Sequence, residues 1–264
     1  LLLFLLNVLM LEYPGAFGLS GKSQAARASF ACVAVWWAAF TIPLLRNVKE
    51  PPVVARPGRG PFRELGATFM RIFRSKPLFH FLQAYWLYAD GIGTIMKMAT
   101  TFGANVGIRD EHLMKALVLT QLIGVPCAIA FGRLAGKLGA RTMILFGLAV
   151  YLGITVFAAF MTRPWHFYAL ASAVGVVQGG TQALSRSLFT TMVPPSRAGE
   201  YFGFFSTMEK FAGILGPMLL WLMWRGGGDP RHGILLIGSF FLVGGALLAA
   251  VNVAQGRAEA KAAG

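Results

Sequence analysis

The chain has 264 residues, 56% of them hydrophobic and 13% charged, with a mean hydropathy of +0.62, against roughly 45–50% apolar and about 25% charged residues in soluble domains. That much apolar surface cannot be hidden in a water-soluble core, so the composition excludes a soluble enzyme or binding module. The net charge of +14 would suit a nucleic-acid partner only if aromatic and basic residues alternated outside the apolar segments, and they do not.

The apolar residues fall into blocks of about 20, the length that crosses a hydrocarbon core of roughly 30 Å as a helix. They lack the two-residue alternation of a membrane-barrel strand. Residues 1–11 (LLLFLLNVLML) form the first block and cover about half a bilayer. No basic residue precedes them, and Glu12-Tyr13-Pro14 follows instead of a small-residue cleavage site, so the block reads as the end of a cut span rather than as a signal peptide. Full spans are expected at 28–48, 78–100, 113–132, 142–162, 166–190, 202–224 and 233–253. The fold class is thus an all-α membrane protein, a polytopic helical bundle with seven full spans and a partial one, and its primary partner is the lipid bilayer.

Between the first and second full spans lies a basic connection, 49–77. Pro51, Pro52, Pro57, Gly58, Gly60 and Pro61 open it and preclude a helix there. From Phe62 to Lys76 the pattern changes: Leu65, Phe69, Ile72 and Phe73 recur at helical spacing among Arg63, Arg71, Arg74 and Lys76. That suits either an amphipathic helix lying on a leaflet or a solvated basic linker. The chain thus divides into residues 1–48, the linker 49–77, a six-helix block 78–254 and a tail 255–264.

The basic residues separate by side. Arg46, Lys49, Arg56, Arg59, Arg63, Arg71, Arg74, Lys76, Arg133, Lys137, Arg141, Arg186, Arg197, Arg257 and Lys261 fall on one face of the expected topology. Seven (Lys22, Arg27, Arg109, Lys115, Arg163, Arg225, Arg231) fall on the other. The excess places the linker, the 133–141 connection and the C-terminus in the cytoplasm.

Cys32 and Cys127 lie within spans. His80, His112, His166 and His232 are far apart and lack Cys or carboxylate partners at ligand spacing, so no metal and no other cofactor is implied. A Gly-x-Ser-x-Gly elbow and a Walker Gly-Lys-Ser/Thr loop are both missing, against an intramembrane hydrolase or an ATP-driven pump in this chain.

Charged side chains at bilayer depth cost at least ~2.5–3.5 kcal/mol facing lipid, so they face a cavity or a partner. In the 78–100 span, Asp90 and Lys97 share a face with Gln83, Trp86, Thr94 and Thr101. On the order of 10 Å apart, Asp90 and Lys97 cannot pair with each other. The 166–190 span carries a matching stripe of Gln178, Thr181, Gln182 and Ser185, with Arg186 at its edge. Gly91 and Gly93 interrupt the first stripe and Gly179 and Gly180 the second. Paired glycine-interrupted helices point to a transporter site, although glycines also allow helices to pack closely. Glu209 and Lys210 lie in the 202–224 span, where Glu209 is open to a proton-coupling role or to an ion pair holding the helix to a neighbour.

Gly132-Arg133-Leu134-Ala135-Gly136-Lys137-Leu138-Gly139-Ala140-Arg141 resembles the signature loop of the major facilitator superfamily. Gly132, Gly139 and Arg141 fit, with Arg133 beside them, but Gly136 stands where that family usually has Asp. In the family the loop helps to latch the cytoplasmic side. A narrower resemblance, to the vacuole-effluxer family and its bacterial relatives, rests on Tyr85-Trp86-Leu87-Tyr88-Ala89-Asp90-Gly91, Gly179-Gly180-Thr181-Gln182-Ala183-Leu184-Ser185-Arg186-Ser187, and Pro194-Pro195-Ser196-Arg197-Ala198-Gly199-Glu200-Tyr201-Phe202-Gly203-Phe204, with Lys210-Phe211 and Gly216-Pro217. The resemblance implies the C-terminal part of a twelve-helix fold, with 1–48 ending an N-terminal half whose earlier helices would be a partner, and it implies amino-acid transport weakly.

The function expected is secondary transport of a small polar or zwitterionic solute, with protons as a candidate coupling ion, in a bacterial inner membrane. A non-transporting scaffold or receptor of the same fold is the alternative. The topology predicts that cysteines at Arg59 and Gly136 react with an impermeant thiol reagent from the cytoplasmic side and one at Gly227 from outside. Labelling of Gly136 and Gly227 from one side would overturn the helix count.

Overall fold

The computed structural model describes residues 1–48, 61–105, 107–227 and 230–263, and every regular element among them is helical. The breaker-rich half of the linker, with Lys49, Arg56 and Arg59, lies outside the described residues. Two compact units emerge, Leu1–Arg59 and Gly60–Gly264.

In the first unit, α1 (Leu2–Glu12) packs on α2 (Lys22–Asn47) through a short turn at Pro14–Phe17. Only Ala25 and Ser29 of α2 are buried, and Trp36, Trp37 and Phe40 are exposed, the surface of a helix solvated by something apolar.

The second unit begins with α3 (Pro61–Arg74) and continues through α4 (Lys76–Asn105), α5 (Asp110–Leu138), α6 (Ala140–Ala159), α7 (Pro164–Thr190), α8 (Ala198–Phe211), α9 (Leu215–Arg225), α10 (Pro230–Ala250) and α11 (Val253–Ala262). α10 packs against both α4 and α6, α7 against α5 and α6. Tyr88, Tyr151, Phe81, Ile144, Ile237 and Leu248 fill the centre, and α5 turns Leu117, Leu122, Val125 and Ile129 outward. Among the described residues, four helices are long and apolar enough to cross a membrane: Lys22–Asn47, Glu111–Leu138, Ala140–Ala159 and Arg231–Ala250. α4 and α7 have the length, but the polar stripes lower their hydropathy. The expected 202–224 span is divided between α8 and α9, each too short to cross alone.

Of the two readings of 62–76, the helix is the one found: residues 61–74 are helical, and Phe69, Met70 and Phe73 are exposed along that helix. Two expectations change. The signature loop is mostly helix: Gly132–Leu138 complete α5, and the turn into α6 is Gly139 alone, at φ +87°, a conformation that favours glycine. The glycine interruptions do not break α4 or α7. A Cβ on Gly91 would stand 2.8 Å from the Phe241 ring, one on Gly179 3.1 Å from Ala128, and one on Gly180 inside the Phe131 ring. These three therefore serve close helix packing, the alternative that small residues fulfil throughout membrane bundles.

Gly180→Ala should therefore lower the thermal stability of the purified protein by about 1–3 kcal/mol, because the Phe131 ring has to move. At exposed, helical Gly136, where nothing lies within 4 Å of the added methyl, alanine should stabilise by about 0.4–1 kcal/mol. Equal unfolding temperatures for the two variants would refute this packing assignment.

Candidate functional site

The centre of the second unit is built around the gap between α8 and α9. A proline has no N–H, so in a continuous helix Pro217 would leave the Gly213 carbonyl without its donor four residues on. The chain stops instead: Ala212 is extended, Gly213 turns to φ +94°, and α9 restarts at Leu215 with Pro217 in its first turn, where a missing N–H costs nothing.

Asp90 of α4, 1% exposed, faces the start of α9. Its Oδ2 accepts from the Leu215 N–H at 3.1 Å and its Oδ1 from the Gly216 N–H at 3.1 Å. Thr94 donates to the Asp90 backbone carbonyl at 2.7 Å and lies 3.3 Å from Oδ1. A carboxylate at a helix N-terminus satisfies orphan donors and meets the positive end of the helix dipole. Seven residues along α4, Lys97 sends its ammonium toward the Gly213 carbonyl at 3.5 Å, the group that Pro217 leaves unserved. Gly216 admits Thr94 so closely that any β-carbon there would collide with its hydroxyl.

Beside this junction lies a polar cavity of about 170 Å³ between α4, α7 and α8, lined by Tyr85, Tyr88, Lys97, Gln182, Ser185 and Glu209 along with Ala89, Ile92, Gly93 and Ala212. Arg186 reaches Glu209 through one nitrogen, 2.8 and 2.7 Å from its two carboxylate oxygens. Ser185 donates to the Thr181 carbonyl at 2.7 Å, so Tyr88, 2.8 Å away, donates to Ser185 and ties α4 to α7. Phe81, Tyr85, Phe189 and Phe205 stack with centroid separations of 4.3–6.3 Å, and Tyr85 joins this aromatic layer to the cavity wall.

The residues expected from the sequence divide into four groups. Lys97, Gln182, Ser185 and Glu209 line the cavity, and Arg186 binds its acid. Asp90 and Thr94 serve the α9 N-terminus. Gln178 lines, with Thr94, a separate and mainly apolar cavity of about 110 Å³ between α4, α5, α6, α7, α9 and α10, and Thr181 is fully buried where Gly147 of α6 admits it. Gln83, Trp86 and Lys210 stand outside the cavity, Gln83 and Lys210 being exposed. Tyr85 and Tyr88 are not among the expected site residues: at about 100° per residue they stand about 140° and 160° round α4 from Asp90, off its polar stripe. Among the signature residues, Arg141 donates to the Ala249 carbonyl and, at 3.1 Å, to the Val251 carbonyl, capping the end of α10. Gly132 and Arg133 are exposed.

Comparison with known proteins gives a consistent match. The model of the family described as vacuole effluxer Atg22 like matches residues 1–261. An uncharacterised MFS-type transporter of Bacillus subtilis, YxiO, is 38% identical over 236 residues, covering 87% of this chain and 54% of that protein. Autophagy-related protein 22-1 of Penicillium rubens is 26% identical over 260 residues (88% and 44% covered), and autophagy-related protein 22 of Coccidioides immitis 26% over 259 (87% and 43%). The chain spans about half the length of the curated relatives it matches.

The Asp90 geometry predicts a stability effect. Asp90→Asn keeps one acceptor but turns an amide N–H₂ toward the second backbone donor, and should lower stability by about 1–3 kcal/mol. Asp90→Leu, which leaves both N–H groups bare, should cost more. Thermal unfolding in detergent measures both, and an unchanged transition for Asp90→Asn would show that the carboxylate does not hold α9.

Proposed function

This chain belongs to the vacuole effluxer Atg22-like family, and we propose that it is part of a secondary transporter moving a small polar solute, an amino acid for preference, by alternating access. It is an integral, multi-pass membrane protein. We place it in a bacterial inner membrane, with the 49–77 linker and the C-terminus cytoplasmic as the basic residues direct.

The observation that supports this reading most is the Arg186–Glu209 pair at the wall of the polar cavity, with the Lys97 ammonium in the same space. Asp90 is engaged by the backbone of α9, so the carboxylate left to face a solute is Glu209. A zwitterion could exchange with the pair: its carboxylate would take Arg186 or Lys97 and its ammonium would take Glu209. Each charge keeps a partner through that exchange. Binding would then open a link between α7 and α8, and the break at 212–214 would let α8 move without α9. Protonation of Glu209 would release Arg186 in the same way, which makes Glu209 the group for proton coupling.

The test is counterflow of labelled amino acids in proteoliposomes, using protein expressed from the longest reading frame that carries this sequence. Arg186→Gln and Glu209→Gln should each reduce exchange by tenfold or more. The swapped variant Arg186→Glu/Glu209→Arg should remain inactive, because each charge then faces the wrong end of the solute. Recovery of exchange by the swap would identify the pair as a plain helix-to-helix bridge and refute its role in binding.

A further inference from the structure

At the end of the second unit that carries α3 and α11, nearer the start of α4 than the polar cavity, a third and larger cavity opens. It measures about 380 Å³ and is lined chiefly by Arg71 and Arg74 of α3, Ser75, Arg197, Tyr201 of α8 and Glu259 of α11. Its charges do not balance. Arg71 pairs with Glu200 at 3.2 Å, and Glu200 also accepts from Thr68 at 2.9 Å. Glu259 accepts from Ser75 at 2.6 Å and from Gln255 at 2.9 Å. The Arg74 and Arg197 guanidinium groups make no ion pair or hydrogen bond among the described residues. Two guanidinium groups from different elements thus line one space with unused donors, and a Tyr hydroxyl and a Ser hydroxyl lie in the same wall.

The flank of this groove is apolar. α3 exposes Phe69, Met70 and Phe73 at 45%, 53% and 48%, while Phe69 contacts Phe204 and Phe73 contacts Phe79. An amphipathic helix with this division lies at a membrane surface, its apolar residues among acyl chains and its basic residues at the level of the head groups. Guanidinium groups are suited to phosphate because their fork of N–H donors matches two phosphate oxygens.

We propose that this groove binds the phosphate of an anionic phospholipid, with Arg74 and Arg197 as its ligands and the exposed face of α3 against the acyl chains. The bound headgroup would bridge α3 to α8, adding to the bridge that Glu200 makes between Arg71 and α8. Lipid composition would then set how firmly α3 is held against the bundle.

The experiment uses detergent-purified protein and follows its unfolding temperature during titration with dioctanoyl phosphatidylglycerol, dioctanoyl phosphatidylcholine or inorganic phosphate. Phosphatidylglycerol should raise the transition saturably and phosphatidylcholine should not. Arg74→Gln/Arg197→Gln should weaken the apparent affinity roughly tenfold or more, as loss of charge-assisted hydrogen bonds requires, and Arg74→Lys/Arg197→Lys should restore part of it. Lys137→Gln, a charge removed elsewhere on the same side, should leave the titration unchanged. The double glutamine variant is scored by its response from its own starting temperature, so a change in basal stability does not confuse the result. An equal, variant-sensitive response to inorganic phosphate alone would overturn the lipid assignment in favour of a soluble anion. A phosphatidylglycerol response that survives the double substitution, or no response at all, would overturn the site.

Discussion

A backbone surrounded by apolar side chains and lipid has to find its hydrogen bonds inside the protein, since each unsatisfied group there costs several kcal/mol. A continuous helix meets that demand by itself, and the segment from Ala198 to Arg225 does not. Pro217 removes one donor and Gly213 turns the chain out of helical geometry. The groups left over are answered from α4: the Asp90 carboxylate takes the Leu215 and Gly216 N–H groups, and the Lys97 ammonium approaches the Gly213 carbonyl. The two charges that stand about two turns apart on one helix are thus matched to the positive start of α9 and the exposed carbonyl just before it.

This allocation determines what remains for the polar cavity. With Asp90 engaged, Arg186 and Glu209 compensate each other and Lys97 is held only by a long contact. The cavity therefore has one more cation than it has acids, a balance suited to a solute that brings a carboxylate. Phe81, Tyr85, Phe189 and Phe205 form an aromatic layer, and Tyr85 belongs both to that layer and to the cavity wall. A change in the ion pair therefore reaches that aromatic layer through Tyr85, which neighbours Glu209.

The positions of the helices were legible in the sequence because a bilayer-length apolar block admits few other interpretations, and six of the seven expected full spans each coincide with one continuous helix. The break at 212–214 was not. Gly213, Gly216 and Pro217 were visible, but a proline in a first turn and a proline inside a span look the same until the restart of the helix is known. The partner that makes the restart tolerable, Asp90, lies 125 residues earlier. The same ignorance of neighbours affected the glycines. Nothing local distinguishes Gly93, which borders the cavity, from Gly91, which faces Phe241. The stripe on α4 was legible as polar, yet only Lys97 of it reaches the cavity, because Asp90 and Thr94 turn toward α9 and Tyr85, Tyr88 and Ala89 form the wall.

The partial signature between α5 and α6 follows from the same principle of serving stranded backbone groups. Arg141 does not face a carboxylate; it donates to the carbonyls of Ala249 and Val251, where α10 ends and its last acceptors have no helical donor. A cation at a helix C-terminus is favourable through both the hydrogen bonds and the dipole. An acid at position 136 is not needed for that contact, and Gly136 is exposed, with nothing within 4 Å of where a β-carbon would stand. The departure from the family pattern therefore leaves Arg141 with full employment. At this end of the unit the fastening is distributed: Arg141 holds α6 to α10, Ser75 and Glu259 join the start of α4 to α11, Arg257 reaches Thr191 after α7, and Glu200 draws α3 onto α8. Every one of these ties involves a helix end or a connecting residue, where the backbone has spare groups and water is near, whereas the middle of the bundle is held by glycine contacts and aromatic packing and keeps its charges for the break and the cavity.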